Sequence, residues 1–241
     1  MHTDWANKEK IQDLLLFESS TQESGKLTSL KEYVERMPED QEEIFFISGS
    51  SRSAVENSPH LEIFKKKGYE VLFFLDPIDE WVAQGLTEYD SKQVKSVVKG
   101  DFNFDEETEE EKKENESFKG SLDLIQKFLE EEVKEVRFSN RLTDSPCCLV
   151  ADENAMSANM ERIMQSMNQE MPKQKRILEL NKNHQVVKYV LDLADKDPKS
   201  EDVKEYTSLL FDQALLVEGS PLPDPVSFAK KVTGLMEKAL A

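Results

Sequence analysis

Cysteine and histidine are scarce in this chain of 241 residues, which carries two of the first and three of the second. Cys147 and Cys148 are adjacent, and neighbouring side chains of a strand point to opposite faces. A disulfide between them is therefore strained, and no third thiol exists to pair with either. Reduced thiols in a reducing, cytoplasmic compartment are the expectation. His2, His60 and His184 lie far apart and show no metal-ligand spacing. Long apolar runs are also missing: none approaches the roughly 18 residues of a membrane span, and the N-terminus shows no signal-peptide pattern. Positive charge is in deficit, with 31 Lys and Arg against 49 Asp and Glu and a formal charge of −18. Nucleic acid and anionic membrane both require clustered cations, so neither is expected as a partner.

What the chain does have is a row of methionines. In Asn154 to Met167, Met156, Met160, Ile163, Met164 and Met167 fall on one helical face, while Asn159, Glu161, Arg162 and Gln165 point elsewhere. Four of the eight methionines sit on that face, and methionine adapts to many shapes. Leaving all five side chains in water forfeits roughly 8 to 15 kcal/mol of burial, the size of a domain's net stability. The stripe therefore needs a partner: the protein's own core, a dimer interface, or an adaptable surface for other polypeptides.

The order of elements predicts a layered protein. KIQDLLLFESS predicts a helix ending near Glu18, and Thr28 to Arg36 a second helix capped by Thr28 or Ser29 and stopped by Pro38. EEIFFISG predicts a buried strand. A helix follows from Ser53 to Asn57 and restarts after Pro59 to end at Gly68. Tyr69 to Leu75 predicts a strand, Asp79 to Leu86 a helix and SKQVKSVV a short strand. This alternation implies a parallel α/β layer. From Lys99 to Glu116 nine acidic residues stand against three basic ones, which marks a solvated linker or a frayed helix start, and a domain boundary. The second half predicts a helix from Phe118 to Glu131, strands at VKEVRFS, CCLVA and ILELNKNH, and a helix from Gln185 to Ala194. Two helices close the chain. Glu201 to Val217 carries Val203, Tyr206, Leu209, Leu210, Ala214 and Val217 on one side; the next starts at Asp224 and Pro225 and carries Phe228, Ala229, Val232, Leu235 and Met236. Such a hairpin packs either on its own domain or against a second copy in a four-helix arrangement.

Chemistry is thinly represented. FFISGSSRS resembles a strand-to-helix turn able to hold an anion, but it lacks both the G-x-x-x-x-G-K-[ST] and G-x-G-x-x-G patterns, and an ordinary turn uses the same residues. Cys147 and His184 would need a third, orienting group to act as thiol and base. Asp79 and Glu80 read as charges complementing a helix dipole, and Trp81 either anchors a core or lies on a rim that meets a partner. No catalytic constellation emerges, and binding is the better class. A phosphate-binding enzyme module centred on Gly49 to Ser53 and a purely structural dimerisation module are the alternatives.

LTSLKEYVERM, NSPHLEIFKKKGYEVLFFLDPIDEW, VRFSNRLTDSPC, ANMERIM and LLFDQALL together resemble one family, the heat-shock protein 90 chaperones in their bacterial form. The stretches occur in family order and cover nearly the whole chain. The resemblance implies a small α/β/α subdomain over residues 1–98, an acidic linker over 99–116, and a mixed α/β dimerisation domain over 117–241. The last would end in a helix hairpin that forms a four-helix bundle across a homodimer. It also implies a piece without the family's ATPase domain, so that these residues bind no cofactor and catalyse nothing, ATP and magnesium acting in the full-length protein. Carried over by position, Trp81, Met156, Met160, Ile163, Met164 and Met167 would face unfolded or partly folded client proteins on a partly exposed inner surface. Leu209, Leu210, Ala214, Val217, Phe228, Val232, Leu235 and Met236 would form the dimer contact. Leu16 stands where many members have arginine, and Met164 where a bulkier aromatic can occur. The ending LMEKALA lacks the acidic Met-Glu-Glu-Val-Asp tail of eukaryotic relatives, so co-chaperones that read that tail are not expected to bind.

Overall fold

The computed structural model describes residues 7–102, 104, 108–169 and 174–240. These residues form two compact units, the first from 1–100 with 153–172 and the second from 101–152 with 173–241. Residues 153–172, placed with the C-terminal domain by the sequence pattern, group with the first unit. Among the described residues the fold is mixed α/β, with two sheets and eleven α-helices.

The first unit is built on a six-stranded sheet. Its strands are β1 (Leu16–Ser19), β2 (Thr28–Ser29), β3 (Ile44–Ser48), β4 (Val71–Phe74), β5 (Glu88–Tyr89) and β6 (Lys92–Ser96), in the order β2-β1-β4-β3-β6-β5. β3 runs parallel to β4 and β6, as the strand and helix alternation implies; β1 with β4, β1 with β2, and β5 with β6 are antiparallel. The layer is thus mixed rather than wholly parallel. The difference starts at the N-terminus, where the helix expected to run to Glu18 stops early: α1 covers Lys8–Gln12 and the chain then becomes β1. In LFES the side chains alternate, with Phe17 and Ser19 buried and Leu16 exposed, which is the period of a strand. Phe17 stacks on Phe74 with ring centroids 4.3 Å apart, and Phe74 on Phe46 at 4.5 Å. Burial of this aromatic stack overrides the helical preference of LLL.

The helices of this unit follow their local signals. α2 (Leu30–Arg36) begins at Ser29, whose side chain accepts from the Glu32 amide while Glu32 reaches back to the Ser29 amide, a reciprocal cap. α3 (Arg52–Glu56) leads through a 3-10 turn (Pro59–Leu61) into α4 (Glu62–Lys67), which ends at Gly68 with φ of +75°. α5 covers Asp79–Gly85. The turn before α3 is a packing device. A Cβ on Gly49 would lie 2.4 Å from Val55 Cγ1, the Gly49 amide donates to the Phe74 carbonyl, and Ser51 Oγ caps α3 by accepting from the Ala54 amide. The Gly49 amide and the Ser51 hydroxyl are thus engaged within the protein.

The second unit holds a three-stranded sheet of β7 (Val133–Phe138), β8 (Cys147–Val150) and β9 (Arg176–Leu180), with β9 central, parallel to β7 and antiparallel to β8. α7 (Lys119–Phe128), α9 (Gln185–Lys196) and α10 (Glu201–Glu218) pack against it, and Ile125, Val136, Leu149, Leu178, Val190 and Leu210 share its core. The acidic stretch before α7 includes α6 (Glu109–Ser117); its residues 103 and 105–107 lie outside the described residues. Thr108 and Glu111 form a second reciprocal cap, yet no residue of the helix is buried. α11 (Pro225–Leu240) returns antiparallel along α10: Lys231 Nζ donates to Ser208 Oγ at 2.5 Å, and Lys238 Nζ lies 3.0 Å from Asp202 Oδ1. Both cysteines are buried, and neither forms a disulfide. Cys147 Sγ donates to the Leu210 carbonyl and burial pushes its thiol up to about 12, while His184 Nδ1 caps α9 by accepting from the Val186 amide. The two residues serve separate structural ends. No helix of the described residues is long and apolar enough to cross a membrane.

Candidate functional site

The methionine stripe forms the helix its spacing predicts, shortened at its start. α8 covers Ala158–Ser166, because Ser157 takes the N-cap position and its Oγ accepts from the Met160 amide at 3.0 Å. Burial is graded along the face. Met160 is 5% exposed, Met156, Ile163 and Met164 are half-buried, and Met167, just past the last turn, is 55% exposed. The helix is thus seated through its N-terminal methionine and presents its C-terminal ones. Trp81 is half-buried on α5.

Glu80 is the residue whose role the sequence pattern did not reveal. Asp79 opens α5, and its Oδ2 accepts from the Asp76 amide at 3.0 Å, while burial raises its carboxyl above the usual range. Glu80 turns away from that role. Its carboxylate is 6% exposed and accepts from Ser157 Oγ at 2.9 and 3.1 Å and from Asn159 Nδ2 at 2.9 Å, so it sits at the N-terminus of α8. Ser157 is recognisable from its place before a periodic apolar run, but its acceptor lies 77 residues away and leaves no local signature.

The residues expected at the dimer contact separate into two groups. Leu210 and Ala214 are buried in the second unit's own core. Val217 is 48% and Met236 64% exposed, and Leu209, Phe228, Val232 and Leu235 are half-buried. Val226 and Leu240 on α11 and Leu216 on α10 are exposed as well. α11 has no buried residue along its 16 positions, so its apolar side is only partly covered by α10.

The SNRLTDSP loop places Arg141 in a closed ionic cluster. Arg141 is 2% exposed; its Nε lies 2.9 Å from Glu179 Oε2, and its guanidinium stands 5.2 Å from the centre of the Phe102 ring. Arg137 donates to Glu179 Oε1 at 2.8 Å and pairs with Asp101, while Ser139 Oγ donates to Glu179 Oε2 at 2.7 Å. Burial pushes the Glu179 carboxyl up, but Arg141, Arg137 and Ser139 together outweigh it and hold the group below the usual carboxylate range. A carboxylate whose folded value is depressed stabilises the protein above its unfolded value of about 4.3, and that contribution is lost as pH falls through the lower folded value. Thermal melts between pH 6 and 3 are expected to show the second unit weakening below about pH 4, with Glu179→Gln flattening that slope. Equal acid slopes for the two proteins would refute the assignment. Among the described residues, no group of three or more His, Cys, Asp or Glu side chains is placed to hold a metal ion.

The family described as Hsp90 protein matches residues 1–241. The chain is similar to the chaperone protein HtpG of Geobacter metallireducens, with 56% identity over 242 residues covering 98% of this chain and 37% of that protein. HtpG of Geobacter sulfurreducens is 56% identical over 244 residues, again covering 98% and 37%. HtpG of Myxococcus xanthus is 44% identical over 244 residues, covering 99% of this chain and 37% of its own length. The chain therefore spans about 37% of the length of these curated relatives.

Proposed function

Because the chain belongs to the Hsp90 protein family, we propose that it works as a chaperone that forms homodimers and holds partly unfolded client proteins on the methionine face of α8. The observation that carries this reading is the graded exposure of that face: Met160 seats the helix, and Met164 and Met167 remain available to solvent. Flexible thioethers fit varied apolar segments without demanding one shape. Capture at each helix is weak. Pairing two copies through α10 and α11 sets two such faces at high effective concentration, which gives avidity without new contacts. In this reading Trp81 is an aromatic anchor for clients, and the α10 and α11 hairpins of two protomers build a four-helix arrangement. The protein acts in the cytoplasm. ATP and magnesium drive the whole protein, while the residues described here bind clients and hydrolyse nothing. The commitment of Gly49 and Ser51 to packing and capping supports that division.

Met164→Ser with Met167→Ser tests the client surface. Met167 is exposed and Met164 only half-buried, so the fold tolerates the change, whereas serine at the buried Met160 would unseat the helix itself. Removing two apolar side chains worth about 1.5 kcal/mol each weakens binding roughly 100-fold. The readout is fluorescence anisotropy with a reduced, carboxymethylated model protein, beside a sedimentation control for the dimer. Unaltered affinity removes client binding from this face and leaves a structural dimerisation module.

A further inference from the structure

The geometry points to Glu80 as a positioning residue, a carboxylate latch that holds the N-terminus of α8 and thereby sets how much of the methionine face is presented. The inference deepens the client-binding reading, on which its functional half rests. Glu80 is buried, and the donors seen on its carboxylate are neutral side chains rather than lysine, arginine or histidine. Its charge is met instead by the Ser157 hydroxyl, the Asn159 amide and the positive end of the α8 dipole. A buried charge compensated by one helix end ties that helix in place, since moving α8 away leaves the carboxylate unsatisfied.

The chemistry of Ser157 makes the contact a relay. A hydroxyl has one proton and two lone pairs. Donating the proton to Glu80 turns a lone pair toward the Met160 amide, so the carboxylate fixes the rotor of the very group that caps α8. The capped amide belongs to the one methionine of the stripe that is fully buried. From that pinned end the face becomes progressively exposed through Met164 to Met167. Glutamine at position 80 would keep one carbonyl acceptor but aim an NH2 group at donors and surrender the charge. Partial release is the result for that variant.

Peroxide oxidation of methionines in the full chain, followed by peptide mass spectrometry, reads the latch without any client. In the unaltered protein Met160 oxidises at least tenfold more slowly than Met167. Glu80→Ala raises the Met160 rate about tenfold, toward that of Met167. Glu80→Gln raises it about threefold, and Ser157→Ala, which removes both donor and cap, matches Glu80→Ala. Met37, half-buried at the end of α2 in the same unit, serves as the reference and keeps its rate. A Met160 rate within twofold of the unaltered protein in Glu80→Ala overturns the latch, as does a parallel rise at Met37 in both Glu80 variants, which reports general loosening. The released helix pays an ordering cost on each capture, so Glu80→Ala is expected to bind the carboxymethylated protein about tenfold more weakly. Release of Met160 with affinity changed less than twofold overturns the claim that the latch sets presentation. The oxidation result judges the latch alone, and the Met164 and Met167 substitutions judge the client surface alone.

Discussion

Arg141→Ala is expected to destabilise the second unit by about 3 kcal/mol, because it leaves a buried carboxylate facing a cavity with half its cationic partners gone. Glu179 keeps Arg137 and Ser139, which holds the loss near the lower end of the range for broken buried pairs. The loss also includes the packing of the guanidinium against the Phe102 ring. For a unit of this size the midpoint of thermal unfolding falls by roughly 10 °C. Pairing Arg141→Met with Glu179→Leu removes both charges together and should restore part of that loss, since the penalty comes from the stranded charge more than from the missing attraction. Denaturant melts of the two single variants and the double variant supply the cycle. A single-variant loss below 1 kcal/mol, or strict additivity, would show that the cluster is ornamental to stability.

Val217→Asp with Met236→Asp is expected to convert the proposed homodimer to a monomer at micromolar concentration. In a two-fold interface each substitution acts twice, so four apolar side chains worth roughly 1.5 kcal/mol or more apiece are replaced by four like charges. The dissociation constant then rises by more than about a thousandfold. Both residues are exposed within the subunit, so far-ultraviolet circular dichroism and the melting of the second unit should stay near their original values. A charge at Leu210 would report something else, because that side chain belongs to the subunit's own core and its loss unfolds rather than separates. Sedimentation velocity decides the matter. A variant that still sediments as a dimer removes the hairpin from the contact, and an unaltered chain that is monomeric at all accessible concentrations removes the homodimer itself.

Much of this architecture is legible from local rules. Ser29 with Glu32, Ser157 before α8, Gly68 after α4, and Asp224 with Pro225 before α11 each settle a helix end through groups within four positions of one another. The spacing of Met160, Ile163 and Met164 defines one face of α8 for the same reason, with Met156 and Met167 just outside its two ends. LLLFES shows where local reading breaks down. Three successive leucines favour a helix, but the stacking of Phe17 on Phe74, 57 positions on, stabilises a strand, and nothing near Leu16 announces it.

The sequence by itself determined that α8, α10 and α11 are amphipathic helices and that acidic residues far outnumber basic ones, because these depend on composition and on neighbours one or two turns apart. The tertiary structure alone decided which part of each apolar face is covered. It buried Met160 while leaving Met167 out, took Leu210 and Ala214 into the core while leaving Val217 and Met236 exposed, and sent Glu80 to a helix cap 77 residues later. Periodicity sets the direction in which a side chain points along its own helix. What it meets there depends on chain segments whose approach no local pattern encodes.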